Sequence, residues 1–225
     1  MSTLTTLYER VPKVRAKYVL FAFVSLMMAY VLRHNEHFLI DSKDPIWQHY
    51  QPFKWKLLPH GLAGACALLL GPMQFSDGLR HRFAKFHRIA GRFYVAGVFI
   101  AAPLGFYIQH FEERIGGTRS FTVLAAVDAT LWMITTGIAF ACILKGKVEQ
   151  HRRWMTRSFA VAIVFLEIRV VAGITGWDTM PNVIETVGWV CLAFAILLAD
   201  IALQWQDLRR TRPIPAKVKA ASISA

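Results

Sequence analysis

The chain has 225 residues, of which 55% are hydrophobic, at a mean hydropathy of +0.39, whereas ordinary soluble domains carry ~45–50% apolar residues. Its formal net charge is +12, a balance that by itself would suit a nucleic-acid binder. The charges sit instead in short segments between apolar runs, which argues against a basic soluble face, excludes nucleic acid as the expected partner and makes the charge a topology signal.

A helix crossing ~30 Å of hydrocarbon needs about 20 mainly apolar residues. The first such run, Lys17 to Arg33, follows Arg10, Lys13, Arg15 and Lys17 and is closed by no small-residue cleavage site. It therefore reads as an uncleaved first span rather than a signal peptide. Asp44-Pro45 then starts a short outer helix, and Trp47, Tyr50, Phe53 and Trp55 form an aromatic group suited to the outer headgroup level. The second span, His60 to Phe75, is short and ends on Gly71-Pro72. Gly64, Ala67 and Gly71 continue the His60 face and permit close approach of another helix or a flat macrocycle.

Asp77 is expected to cap a short helix in the next connection, with Leu79, Phe83 and Phe86 on one face and Arg80 and Lys85 turned away, an arrangement for an anionic lipid surface. The remaining spans are Ile89 to Gln109, Phe121 to Leu144, Ser158 to Thr175 and Val183 to Trp205. Cys66, Cys142 and Cys191 each fall in a separate apolar run and read as small packing residues. The tail, about residues 208–225, is basic, carries Pro213 and Pro215 and reads as disordered.

Lys and Arg accumulate on cytoplasmic flanks. They do so before the first span, between the second and third (Arg80, Arg82, Lys85, Arg88, Arg92), between the fourth and fifth (Lys145, Lys147, Arg152, Arg153, Arg157), and after the sixth (Arg209, Arg210, Arg212, Lys217, Lys219). The alternate connections hold Asp41 and Asp44, Glu112 and Glu113, and Asp178 and Glu185. The expected fold is all-α: a single integral membrane domain, residues 1–225, forming a bundle of six transmembrane helices with both termini cytoplasmic, in a bacterial inner membrane.

Two matched segments lie where the third and fifth spans leave the cytoplasm. His87 is followed by Arg88 and Arg92, and His151 by Arg153 and Arg157, each arginine pair at i, i+4. Like charges so placed repel unless an anion sits between them. Three uses fit: positive-inside anchors, a site for an anion or anionic lipid headgroup, or one b-type haem with His87 and His151 as axial ligands and the arginines, Arg92 and Arg157 among them, on its propionates. On the outer side His60 is a further cofactor-binding candidate. His34, His37, His49 and His110 could join it around a haem, copper or zinc. Within the bilayer, Asp128 and Arg169 fall at nearly the same depth and are expected to form an ion pair, either a packing device or a site for protons or a quinone headgroup.

Leu58-Pro59-His60-Gly61, Gly71-Pro72-Met73-Gln74-Phe75, the run from His87 to Tyr94 and the run from His151 to Ser158 together resemble the family of predicted bacterial membrane proteins known as domain of unknown function 2306, from about Leu58 to Arg169. The resemblance implies the membrane fold and no particular reaction. A looser likeness is to six-helix b561-type cytochromes, whose four central helices supply haem-binding histidines; the stretch from Arg119 to Leu144 departs from that pattern by containing no His. The expected function is haem b binding for electron transfer with a quinol. The alternative is a non-enzymatic protein that binds lipid or an anion and acts in assembly or transport.

Overall fold

A computed structural model describes residues 16–39, 41, 43–112 and 119–210. The expected charges at Arg10, Lys13, Arg15, Glu113, Arg212, Lys217 and Lys219, and the tail prolines, lie outside these residues. Every element among them is helical: α1 (Ala16–His34), α2 (Ile46–Tyr50), α3 (Lys54–Gln74), α4 (Asp77–Arg82), α5 (Ala84–Tyr107), α6 (Arg119–Leu144), α7 (Val148–Ala162), α8 (Val164–Thr175) and α9 (Pro181–Arg210). Single turns of 3-10 helix at His37–Leu39, Gln51–Phe53 and Trp177–Thr179 and a π turn at Ile108–Glu112 complete the chain.

Among the described residues four stretches are long and apolar enough to cross a membrane: Ala84–Glu112, Arg119–Leu144, Val148–Thr175 and Asn182–Leu208. The six-span reading is thus met in its four C-terminal members. Tyr18–His34 is a shorter apolar helix, and α3 has the length of a span but is diluted by Lys54, Lys56, Pro59, His60 and Gln74. The expected fifth span is two helices, broken at Ile163.

Small residues decide which helices meet. A Cβ at Gly97 of α5 would lie 2.8 Å from the Ala63 carbonyl oxygen of α3, so these two backbones pack closer than side chains would allow. Gly71 serves the same end, leaving room for the Phe159 ring of α7. The small-residue face of the second span is therefore used for helix packing.

The turn after α6 aims the chain back along it. Gly146 takes the left-handed conformation (φ 70°), and the Lys147 N–H reaches back 2.9 Å to the Cys142 carbonyl, a glycine-based helix stop. As a result α7 packs along α6, which sets His151 beside the last turns of α6. The short helix α4 is capped by Ser76, whose hydroxyl accepts from the Leu79 N–H at 3.3 Å. Asp77, expected in that role, pairs instead with Arg80 at 2.7 Å.

At the opposite end, Asp44 accepts from the Ile46 N–H at 2.9 Å and starts α2 as expected. Phe38 is buried against Trp47 and Tyr50, so part of the outer aromatic group forms a compact cap. Trp55 is left 78% exposed. Lys56 pairs with Glu112.

Candidate functional site

A cavity of about 940 Å³ opens at the basic end of the bundle. His87, Arg88 and Arg92 from α5 and His151, Arg152 and Arg153 from α7 line it, and Leu20, Gln74, Ile143 and Leu203 bring in α1, α3, α6 and α9. The two expected His-Arg segments are thus brought to one site.

The two helices present these histidines through a shared register. Tyr94 follows His87, and Ser158 follows His151, by seven residues, about two helical turns, so each pair lies on one face of its helix. Deep to the cavity the Tyr94 and Ser158 hydroxyls meet at 2.8 Å. Thr136 adds a 2.7 Å contact to Ser158, and the Trp132 Nε1–H donates to the Tyr94 oxygen at 3.3 Å. Tyr94, Ser158 and Thr136 are fully buried. This knot ties α5, α6 and α7 together beneath the site.

The ring of His151 is oriented by a neighbour. Its Nδ1 lies 2.8 Å from the Ala139 carbonyl of α6; a carbonyl only accepts, so Nδ1 carries the proton and Nε2 is left for another partner. His87 presents its Nδ1 differently, sealed from solvent with no hydrogen-bond partner. Gln74, in the same cavity wall, likewise has a sealed and unpartnered amide nitrogen.

The arginines divide into two classes. Among the described residues Arg88 and Arg92 have no carboxylate partner. Arg153 pairs with Asp207 at 2.8 Å and Arg157 with Asp200 at 2.7 Å, both on α9. Arg157 does not line the cavity, so its expected part in binding an anion there is corrected: α9 neutralises the second arginine pair and leaves the first. Arg152 lies 4.0 Å from Asp77.

The expected Asp128–Arg169 pair is also corrected. Arg169 bonds Glu36 at 2.8 Å, while Asp128, 2% exposed, has an oxygen without a hydrogen-bond partner. The break at Ile163 separates α8 from α7, and α8 packs against α1, which ends just before Glu36. Equal depth did not bring the two side chains together because Arg169 lies on the side of α8 that meets the end of α1.

His60 resembles His151 in detail, its Nδ1 donating 2.8 Å to the Ala101 carbonyl, with Gly105 leaving space for the ring. The other outer histidines do not gather around it. His34 lies 3.4 Å from Asp178, His37 lies 2.8 Å from Asp44, His49 packs on Tyr50 and Phe53, and His110 stacks on Phe106. Among the described residues no three His, Cys, Asp or Glu side chains are grouped to hold a metal ion.

The residues that organise the site beyond the expected ones are Gln74, Ala139, Tyr94, Ser158, Asp200 and Asp207. Tyr94 and Ser158 were accessible from their common seven-residue offset; a backbone acceptor such as Ala139 has no signature in side-chain pattern.

No curated protein and no solved structure matches the chain. A family model described as predicted membrane protein (DUF2306) matches residues 57–203, which include both histidines, the Tyr94–Ser158 knot and the α9 carboxylate Asp200. The chain belongs to this family of membrane proteins.

Proposed function

We propose that this protein holds one haem b between His87 and His151 and exchanges electrons with a membrane quinol. The observation that carries the reading is the His151 ring, whose Nδ1–H is committed to a backbone carbonyl while the ring borders a large cavity. Ligating histidines usually donate their other ring N–H in this way, which fixes the tautomer and aims Nε2 at the metal. His87 supplies a second ring from the facing helix, its sealed Nδ1 again leaving Nε2 as the available nitrogen. Arg88 and Arg92 suit a pair of propionates, and the cavity volume falls within the ~300–1,000 Å³ typical of ligand pockets. A haem would supply one-electron chemistry; the chain orients its ligands, pairs its anionic edge and excludes water with the apolar walls of α6 and α9.

The reading includes six spans, cytoplasmic termini and the bacterial inner membrane. Leu20 of α1 and Gln74 of α3 border the same cavity as the longer helices, which supports counting both as spans. The arginines clustered there favour the cytoplasmic side for that end. On this reading the exposed Phe83 and Phe86, with Arg82 and Lys85 beside them, rest on anionic headgroups of the inner leaflet.

The test is optical. Full-length protein purified in mild detergent from haem-supplied cells is expected to show a Soret band that changes on reduction, with one iron per chain, and His87→Ala or His151→Ala should abolish it while the protein still inserts. A preparation without Soret band or iron overturns the haem. Arg88 and Arg92, without a carboxylate partner among the described residues, favour a second reading, an anionic lipid in the same cavity of a protein acting in assembly or transport. Its mark would be co-purified anionic lipid in native mass spectra, lost on Arg88→Gln with Arg92→Gln, and no iron.

A further inference from the structure

Asp77 is left without the task that its place in the sequence suggests. It stands in the first turn of α4, where Ser76 already supplies the cap, and its side chain is 66% exposed, so packing does not hold it. Charge does. Its Oδ1 lies 2.7 Å from Nη2 of Arg80, on the same short helix, and 4.0 Å from Nη2 of Arg152, on α7. Two guanidinium groups from different helices thus converge on one carboxylate oxygen.

The arrangement belongs to the cavity. Asp77, Arg80 and Arg152 all line it; among the described residues its lining holds five arginines, the others being Arg88, Arg92 and Arg153, against two carboxylates, Asp77 and Glu149. Each of the two arginines on Asp77 also stands by a histidine. Arg152 follows His151 in sequence, and the charge of Arg80 is close enough to act on the His87 ring. Asp77 therefore links the arginine beside one histidine to the arginine beside the other.

A carboxylate shared by two arginines has the place an oxyanion ligand would take, because guanidinium forks receive carboxylate and phosphate oxygens alike. The contacts are also easily given up. Exposed ion pairs contribute little to stability, and the longer of the two, at 4.0 Å, is beyond hydrogen-bond distance. When an anion enters, the arginines keep a partner and the Asp77 carboxylate returns to water.

We propose that Asp77 is the resident counter-ion of the cavity mouth: it holds Arg80 and Arg152 in the unliganded protein, and the oxyanion of an entering ligand displaces it. The proposal rests on an anionic ligand in the cavity, the chemistry shared by the two readings above, a propionate in one and a phosphate in the other. Asp77 lowers the affinity for such ligands and excludes neutral ones, which have nothing to put in place of its carboxylate.

The experiment uses full-length protein in mild detergent, stripped of lipid and taken from cells with haem synthesis suppressed. Two probes are titrated separately: haem, read by its Soret band, and a fluorescent phosphatidylglycerol. Asp77→Asn keeps the shape and removes the charge. It should bind the anionic probe roughly 3- to 10-fold more tightly than the wild type, the worth of two exposed ion pairs, and the gain should shrink in high salt. Asp77→Glu should bind as the wild type does. In the background of Arg80→Gln with Arg152→Gln, Asp77→Asn should bring no gain, because the arginines it would release are gone.

A gain with haem makes the displacing oxyanion a propionate. A gain with phosphatidylglycerol and no Soret band makes it a phosphate, which keeps Asp77 in its role and removes the haem. Equal affinities of wild type and Asp77→Asn for every probe that binds overturn the counter-ion, and a Soret band in both then leaves the haem reading standing. A gain that persists without Arg80 and Arg152, or failure of both probes to bind Asp77→Asn, also overturns it.

Discussion

The Tyr94 hydroxyl lies 2.8 Å from the Ser158 hydroxyl, two helical turns deep to His87 on one side and to His151 on the other. This contact fixes the rotation of α5 relative to α7, and with it the direction in which each histidine faces. Ser158 also meets Thr136 at 2.7 Å, and Tyr94 receives the Trp132 N–H. Removing the Tyr94 hydroxyl strips a contact from both Ser158 and Trp132, and removing the Ser158 hydroxyl strips one from both Tyr94 and Thr136. Tyr94→Phe and Ser158→Ala should therefore each cost about 1–3 kcal/mol, measured by reversible unfolding in mixed micelles. Equal and negligible losses would remove the knot as a structural element.

The unequal treatment of the arginines predicts an unequal response to mutation. Arg88 and Arg92 face the cavity without carboxylate partners among the described residues, so Arg88→Gln or Arg92→Gln should weaken retention of an anionic ligand by roughly 10-fold or more, the worth of one charge-assisted hydrogen bond. Arg157 is occupied by Asp200 in a partly exposed pair, so Arg157→Gln should leave retention unchanged and cost stability by about 1 kcal/mol at most. Retention is read as bound ligand per chain through successive washes. Equal losses for the three variants would contradict this division.

Much of this arrangement was legible in the sequence, and the remainder is missing for identifiable reasons. Hydropathy marks the four long apolar stretches because lipid demands length and apolarity together. It marks α3 less well, since a helix packed through Ala63, Ala67 and Gly71 substitutes small residues for apolar bulk. His87 and His151 stand out as the residues preceding two similar arginine pairs, and the cavity does bring them together. The partners of the charges were not legible. Arg157 and Arg153 meet carboxylates on α9, far along the chain, and Arg169 meets Glu36, which lies just past α1 and more than 130 residues earlier. Gln74 escaped notice because an amide at a helix end is unremarkable until its nitrogen is found sealed without a partner.

The replacement of the expected Asp128–Arg169 pair by Arg169–Glu36 can be tested with two cycles. Arg169 and Glu36 are 35% and 21% exposed and 2.8 Å apart, so Arg169→Gln and Glu36→Gln should be coupled by about 0.2–1 kcal/mol in a double-mutant cycle. The cycle of Arg169→Gln with Asp128→Asn should be additive. Asp128→Asn keeps the shape and removes the charge of a buried carboxyl that has an unpartnered oxygen, and the variant should be as stable as the wild type or more so. A coupling larger for the second cycle than for the first would restore the intramembrane pair.

The contact between α3 and α5 carries the last prediction, because it decides where Gln74 and His87 stand. A Cβ on Gly97 would be 2.8 Å from a backbone oxygen of α3, which has no rotamer by which to withdraw. Gly97→Ala must therefore push the two helices apart, at about 1–3 kcal/mol for an overpacked contact. The displacement lies between His60 at one end of α3 and Gln74 at the other, so ligand retention in the cavity should fall with stability. Gly61 provides the control. Nothing lies within 4 Å of its added Cβ, so Gly61→Ala should be neutral or stabilise the helix by up to about 1 kcal/mol. Unfolding and ligand retention measured on the two alanine variants separate a general glycine effect from the specific contact: losses confined to Gly97→Ala place the α3–α5 approach in control of the site, and equal behaviour of the two variants would deny it.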